Sequence, residues 1–490
     1  MGVIAKQGIL GSILSYLGII LGVISIIYVQ PHFLSTAEIG LTRILVSFSY
    51  MACIFIPLGI GSVTTRFFPA IRNTDNQHNG HFMVIFLFCF VGCAILSLMF
   101  IIFRQDIIAY YQQKSPLFNE YYHLVFVLPF VLALIIVYNI YCASLHKTVF
   151  TVFLNEVLIR LLQIINVLLY YYDFFGLDGF MSAFVGAYVV QLVLLVIYIH
   201  RIGRISFQIN WSFYRSFFSR DIVIFAFLMI FTAFASIGIK MVDQLIMGHY
   251  LSLSAIGIYA TSIFMVSVME VPYNSLERIS NAIAAQSWAD GNYANLRKVY
   301  YDSVRVLMIV GGYLFVGLLC CSHSIFQLLP SEFAEGEPCM LVMALSSFFN
   351  LATGVNSTII ATSHKYFVIS VFLLILIVTS IVSNIWLIPV FGIVGSAYAS
   401  FISVGFFNLL KVTYLWYRLK MVPYDRNTLI IIITILMAST IYFLPDLSSP
   451  YLTMLMKGSL ISLIFLISVI KFKLMEELTS KIHLLKRFIP

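Results

Sequence analysis

Lys240 and Asp243 stand three residues apart inside the apolar run 221–248. On a helix that spacing puts both side chains on one face. Such a lysine offers charge to an anionic substrate, and the aspartate holds or releases it. The alternative is a self-neutralising pair that only keeps the helix insertable. Glu156 and Arg160 are four residues apart with the carboxylate first, the favourable order for a helical ion pair. They read as a charge network or as a structural pair. Glu270, followed by Pro272, is a carboxylate near the inner end of a further apolar run. That is a place for a coupling proton or sodium ion, or for a group that snorkels to water. Arg66, in Thr64-Thr65-Arg66-Phe67-Phe68-Pro69, and Arg278 and Arg305 would together form a basic funnel at a cytoplasmic mouth. Singly, each is explained by the enrichment of Lys and Arg at the inner face of a membrane. Arg43 is expected to pair with Glu38 or to anchor at head groups. A charge at a helix centre costs ~2.5–3.5 kcal/mol to insert, so each of these groups needs a partner or a wet cavity.

The elements that must position them are membrane helices. Apolar residues make up 61% of the chain and charged residues 10%, and the mean hydropathy is +1.01. Soluble domains are about 45–50% apolar and 25% charged, so this chain lacks the polar surface to coat a soluble core. Fourteen apolar spans are expected, each near the ~20 residues needed to cross. They lie at 9–29, 41–62, 82–103, 120–142, 149–171, 179–199, 221–248, 254–276, 304–328, 338–361, 366–388, 393–416, 428–445 and 451–470. With the N-terminus inside, the outer segments hold only Arg104, Lys114 and Lys457, while the other Lys and Arg, Lys411 among them but not the span residues Arg43, Arg160 and Lys240, fall on inner segments or in the basic tail. A miscount by one helix would scramble that asymmetry, so both termini are expected in the cytoplasm. The net charge of +8 is thus a membrane signature, and nucleic acid is not expected as a partner.

The chain repeats a phrase. His32-Phe33-Leu34-Ser35 with Ile39-Gly40 recurs as His249-Tyr250-Leu251-Ser252 with Ile256-Gly257, at an offset of 217. Phe175-Gly176-Leu177 with Gly179 recurs as Phe391-Gly392-Ile393 with Gly395, at 216. Six helices separate the copies, so the halves share one orientation. The expected organisation is an all-α polytopic membrane protein. Residues 1–203 form one six-helix lobe, residues 204–420 the second, and residues 421–490 two further helices with a basic tail. Gly18 and Gly22 have small-xxx-small spacing, and Leu58-Gly59 loosens the inner end of the second span.

Other chemistries find little support. The seven cysteines fall in or beside apolar spans and read as core packing. No phosphate-binding Walker loop is present. His78 and His81 lie in a polar inner loop and read as solvated histidines rather than metal ligands.

The stretch from Val242-Asp243-Gln244 through Gly248, then Tyr250-Leu251-Ser252 and Ile256-Gly257-Ile258-Tyr259-Ala260, resembles a signature of the polysaccharide-biosynthesis flippases. These are O-antigen-type lipid-linked oligosaccharide flippases of the multidrug/oligosaccharidyl-lipid/polysaccharide exporter superfamily. Phe33-Leu34-Ser35 with Ile39-Gly40, Arg66-Phe67-Phe68-Pro69 and the Asp290-Gly291 turn match the same pattern. The resemblance covers essentially the whole chain through diffuse motifs. It implies a transporter and not an enzyme, working by alternating access between two lobes around a V-shaped cavity. The implied cargo is a glycan on a polyprenyl pyrophosphate, moved outward across the cytoplasmic membrane. Lys240, Asp243, Arg66, Arg278 and Arg305 would bind it, with Glu270, Glu156 and Arg160 as the coupling or charge network. Implied partners are the lipid-linked glycan, membrane lipids and the polymerase and glycosyltransferase machinery. No cofactor is implied beyond H+ or Na+ coupling. The first span carries no Arg or Lys beyond Lys6, a departure from the lipid II flippase pattern. A drug or organic-cation antiporter of the same superfamily is the main alternative, although twelve helices would be typical there. A polymerase or ligase would need a sizeable outer loop, and a scaffold would leave the repeat and the intramembrane charges unexplained.

Overall fold

A computed structural model describes residues 3–73, 77–202, 206–234, 238–365 and 367–474. The described chain is helical throughout, as expected for backbone that must satisfy its own hydrogen bonds in lipid. Among the described residues nine helices are long and apolar enough to cross a membrane, or eleven when two bent pairs are each taken as one span. This is a multi-span membrane protein. Its large exposed side chains, such as Trp386, Val390, Phe443 and Leu455, are apolar, as a lipid-facing surface requires.

The count falls below the expected fourteen because several spans are broken or fused. The 41–62 span resolves into Thr36–Cys53 and Ile60–Ile71, parted where Leu58 and Gly59 take positive φ of 49° and 79°. The looseness expected of this glycine is thus a full break. The 338–361 span resolves into Gly336–Ala352 and Asn356–Ala361 about Gly354, at φ 65°. The 254–276 span is the pair Leu253–Ser267 and Glu270–Ala289, bent by 50°. Conversely, 366–388 and 393–416 run together as Phe367–Leu419, 53 residues turned at Gly392. At 1.5 Å per residue a straight helix of that length would run about 80 Å, far beyond one bilayer.

The chain forms two compact units, Met1–Gly257 and Ile258–Pro490. That boundary lies beyond residue 203 because Ile239–Tyr250 packs into the first unit. Ser47 Oγ donates to Gln244 Oε1 at 2.6 Å, Tyr111 to the Leu245 carbonyl at 3.2 Å and Ser115 to that of Gly248 at 3.0 Å.

Within the first unit the repeated phrase has a physical content. Leu34 and Leu251 both leave the preceding helix in extended conformation. Ser35 Oγ then accepts from Glu38 N and completes a capping box, and Ser252 Oγ accepts from Ala255 N. One turn further, the glycines allow backbone to meet backbone. A Cβ added at Gly40 would collide with the carbonyl of Leu253, and one at Gly257 with that of Thr36.

The second unit packs around Tyr300, Val304, Val316, Ile359, Ile435 and Ile461. The two helices outside the repeat, Arg426–Ser439 and Pro450–Lys471, belong to that core. Gly312 faces Ile435, and Tyr313 reaches Ser462 at 3.0 Å. Lys457, read from sequence as an outer charge, is 4% exposed and bonds Asp446 at 2.7 Å. Trp288-Ala289-Asp290-Gly291-Asn292 forms the expected turn between Glu270–Ala289 and Tyr293–Gln327.

Gly40→Ala or Gly257→Ala is expected to destabilise by about 1–3 kcal/mol, the range for overpacking. Gly186→Ala, where nothing lies within 4 Å, is the control. Fluorescence-monitored thermal unfolding in detergent checks this. Equal midpoints for all three variants would contradict the crossing.

Candidate functional site

In the first unit the charges gather around a π-helical turn, Phe153–Leu158, which carries Asn155 and Glu156. Such wide turns re-aim side chains and recur at functional sites. Arg160 lies just beyond. Its Nη2 donates to Glu156 Oε2 at 3.2 Å and its Nη1 to the Gly18 carbonyl at 2.6 Å. Gly18 permits this, since a Cβ there would sit 2.7 Å from Glu156 Cβ. The pair keeps 24% and 36% side-chain exposure, so it remains accessible. Around it, Asn155 Oδ1 accepts from Gln191 at 2.6 Å and Asn139 at 3.2 Å, and Gln163 donates to the Tyr188 hydroxyl at 3.1 Å.

Arg43 belongs to this cluster and does not pair with Glu38. Glu38 is occupied by the Ser35 cap and by the Tyr170 hydroxyl. Arg43 Nη2 instead donates to Gln30 Oε1 at 2.9 Å, and its Nε finds no hydrogen-bond partner among the described residues. Tyr188 and Arg160 both act on Arg43 electrostatically, and Glu156 acts on nearby Tyr50. Arg160 thus has a carboxylate partner in Glu156, while Arg43 bonds only a neutral oxygen among the described residues.

The other sequence-selected residues are dispersed. Asp243 is buried at 7% exposure, and the Lys240 side chain lies outside the described residues. Arg66 is exposed, with its guanidinium 4.7 Å from the Phe225 ring centre and 5.4 Å from that of Phe67. In the second unit Arg278 and Glu270 are exposed along Glu270–Ala289. Arg305 lies 3.6 Å from Asp425, the N-cap of Arg426–Ser439. Partial burial tends to raise the Asp425 carboxyl. Hydrogen bonds from Thr428 and the Arg305 charge outweigh it and hold the group below its usual range.

Two sets of residues were misplaced by sequence reasoning. His78 and His81 are not solvated but 1% and 0% exposed. His81 sits between the Thr64 hydroxyl at 2.8 Å and the Tyr214 hydroxyl at 2.9 Å. Lys411, counted with the inner-face charges, is 1% exposed and donates to Ser357 Oγ at 2.9 Å. The available signal was Asn408 with Lys411, three residues apart in an apolar run. The seven cysteines are all free, and six are buried, as core packing predicts. No group of three or more metal-binding side chains occurs among the described residues.

A family model described as polysaccharide biosynthesis protein matches residues 32–333, more than half of the chain. The chain belongs to this polysaccharide biosynthesis family. No curated protein matches it in sequence. Among solved structures, the family member is similar to a lipid II flippase MurJ in an inward closed conformation. The TM-score is 0.74 at 15% identity, covering 95% of this chain and 100% of that one. It is also similar to an inward-facing multidrug resistance transporter of the MATE family and MOP superfamily. There the TM-score is 0.60 at 12% identity, covering 84% and 94%. The family member thus shares the fold of these two structures.

Arg160→Lys is expected to fail where the arginine succeeds, because an ammonium lacks the planar fork that reaches Glu156 and Gly18 together. Both Arg160→Lys and Arg160→Ala should destabilise the protein by about 1.5–3 kcal/mol for a charge-assisted bond lost, read as a lower unfolding midpoint in detergent. Full recovery by lysine would show that charge alone matters.

Proposed function

We propose that the protein is a flippase that carries a polyprenyl-pyrophosphate-linked oligosaccharide across the cytoplasmic membrane for surface polysaccharide synthesis. The observation that carries this reading is the surplus of cation in the membrane-embedded cluster of the first unit. Arg160 is paired with Glu156, whereas Arg43 is held by the neutral oxygen of Gln30 and feels Arg160 as a like charge. A pyrophosphate cannot cross hydrocarbon bare, and guanidinium is the side chain best matched to phosphate oxygens. A drug-cation antiporter would need the opposite balance. The family match to polysaccharide biosynthesis supports the same class of cargo.

In this reading Lys240 and Asp243 add a second charge pair, and Arg66, Arg278 and Arg305 attract the anionic headgroup at the cytoplasmic side. The chain crosses fourteen times when each broken pair is one crossing and Phe367–Leu419 is two. Both termini then lie inside. Residues 1–203 and 204–420 act as the alternating lobes, with 421–490 appended. Polymerase and glycosyltransferase enzymes would supply and consume the cargo.

Arg43→Ala and Lys240→Ala should each abolish complementation of a flippase-deficient strain, with the protein still present in the membrane fraction. Normal surface glycan in both variants would sink this reading. A change in drug resistance with glycan untouched would favour the antiporter instead.

A further inference from the structure

The second unit holds a polar hub that the cargo site does not use. Lys411, in Phe367–Leu419, is 1% exposed. Its Nζ donates to Ser357 Oγ at 2.9 Å and stands 4.0 Å from the Phe407 ring centre. No carboxylate lies within 4.0 Å of it among the described residues. Glu277 acts on it from a greater distance.

The hub is built on the broken helix. Asn408, three residues before Lys411, grips the helix preceding the break. Its Nδ2 donates to Asn350 Oδ1 at 3.1 Å, and its Oδ1 accepts from Thr353 at 2.9 Å. Lys411 grips the short helix beyond the break, Asn356–Ala361, through Ser357. Between them Gly354 takes φ 65°, and Val355 N donates to Ser303 Oγ at 3.3 Å. One helix face therefore holds both sides of a hinge, and one of its two grips is ionisable.

A line of ionisable groups leads away from the hub. Glu270, Tyr273 and Glu277 occupy positions i, i+3 and i+7 of Glu270–Ala289 and share a face. Glu270 is exposed, and Tyr273 lies close enough to Glu277 and Ser357 for both to act on it. These are the titratable groups that face the hub from that helix. Gly336–Ala352 and Asn356–Ala361 present neutral amides and hydroxyls, and Arg305 of Tyr293–Gln327 is engaged by Asp425.

We propose that Lys411 is the proton-carrying group of the transport cycle, reached from water through Glu270, Tyr273 and Glu277. One proton enters at the Glu270 carboxylate, passes the Tyr273 hydroxyl and Glu277, and binds the lone pair of the Lys411 amine. Release returns it along the same groups. Gaining or losing the ammonium charge strengthens or weakens the grip beyond Gly354, which ties protonation to the angle of the broken helix. The proposal rests on the transport reading, but its test needs no lipid-linked glycan.

Trp288 is a built-in reporter, because its indole N–H donates to the carbonyl of Ile359 in the short helix that carries Ser357. In a W211F/W386F/W416F background, tryptophan fluorescence of the purified full chain in detergent is followed from roughly pH 5 to 9. The expected result is a one-proton transition that Lys411→Met abolishes. Glu277→Gln should displace its midpoint, because it removes the one carboxylate that acts on Lys411 among the described residues. Should Lys411→Met fail to fold, the Glu277→Gln shift decides. No transition in the parent background, or one unaltered in the variants, would overturn the proposal. A transition that behaves as expected while surface glycan is normal in Arg43→Ala and Lys240→Ala would instead remove the cargo reading and leave the proton site standing.

Discussion

A charged group inside a bilayer has no water to fall back on, so the protein itself must supply its partner. The described structure answers that demand differently at each site. Lys457, itself buried, is closed off by the more exposed Asp446 in a short contact. Arg160 divides its donors between Glu156 and a backbone carbonyl, which requires a glycine on the facing helix. Arg43 and Lys411 are the exceptions, held by neutral oxygens and influenced by other charges at a distance. A saturated pair such as Lys457 with Asp446 is bound to its structural role, because breaking it would strand a buried charge. An incompletely matched cation retains capacity for a ligand or for a change of protonation state. The distinction separates groups that hold the fold from groups that can do work.

Broken helices follow from the same economy. Backbone released at a kink must still be hydrogen-bonded when no water is at hand. Around Gly354 the released amide of Val355 is taken by Ser303, and Thr353 is fastened by Asn408. Around Leu58 and Gly59 the turn closes through local bonds, Leu58 N to Phe55 O and Ile60 N to Pro57 O. Polar side chains therefore collect where the helices bend, and bends and ionisable groups share the same neighbourhoods.

Much of the architecture was legible in the sequence because hydropathy reports crossing segments directly. The turn at Asp290-Gly291 and the buried cysteines could both be read in advance. Helix breaks were less visible, since Gly59 and Gly354 resemble any other membrane glycine until their φ is known. Pairing was the least legible. Arg43 has Glu38 close by in sequence, yet the capping box claims that carboxylate for backbone amides. Lys411 sits near the end of an apolar run, where inner-face charges usually sit, and only packing shows it to be enclosed. His81 looked solvated because its loop is polar, but Tyr214, far along the chain, closes over it.

The glycine crossing also carries a record of how the chain arose. Gly40 meets Leu253 and Gly257 meets Thr36, and Thr36 and Leu253 occupy equivalent places in the two copies of the phrase. The contact is therefore reciprocal, as an isologous two-fold interface must be. A half-length ancestor could have dimerised through this patch, each subunit lending the other the same glycine and the same carbonyl. In such a dimer any substitution appears on both sides at once. Fusion into one chain lifts that restriction while preserving the contact. Asp243 can then arise in one copy while Ile26 stays apolar in the other, an asymmetry that no symmetric dimer could reach.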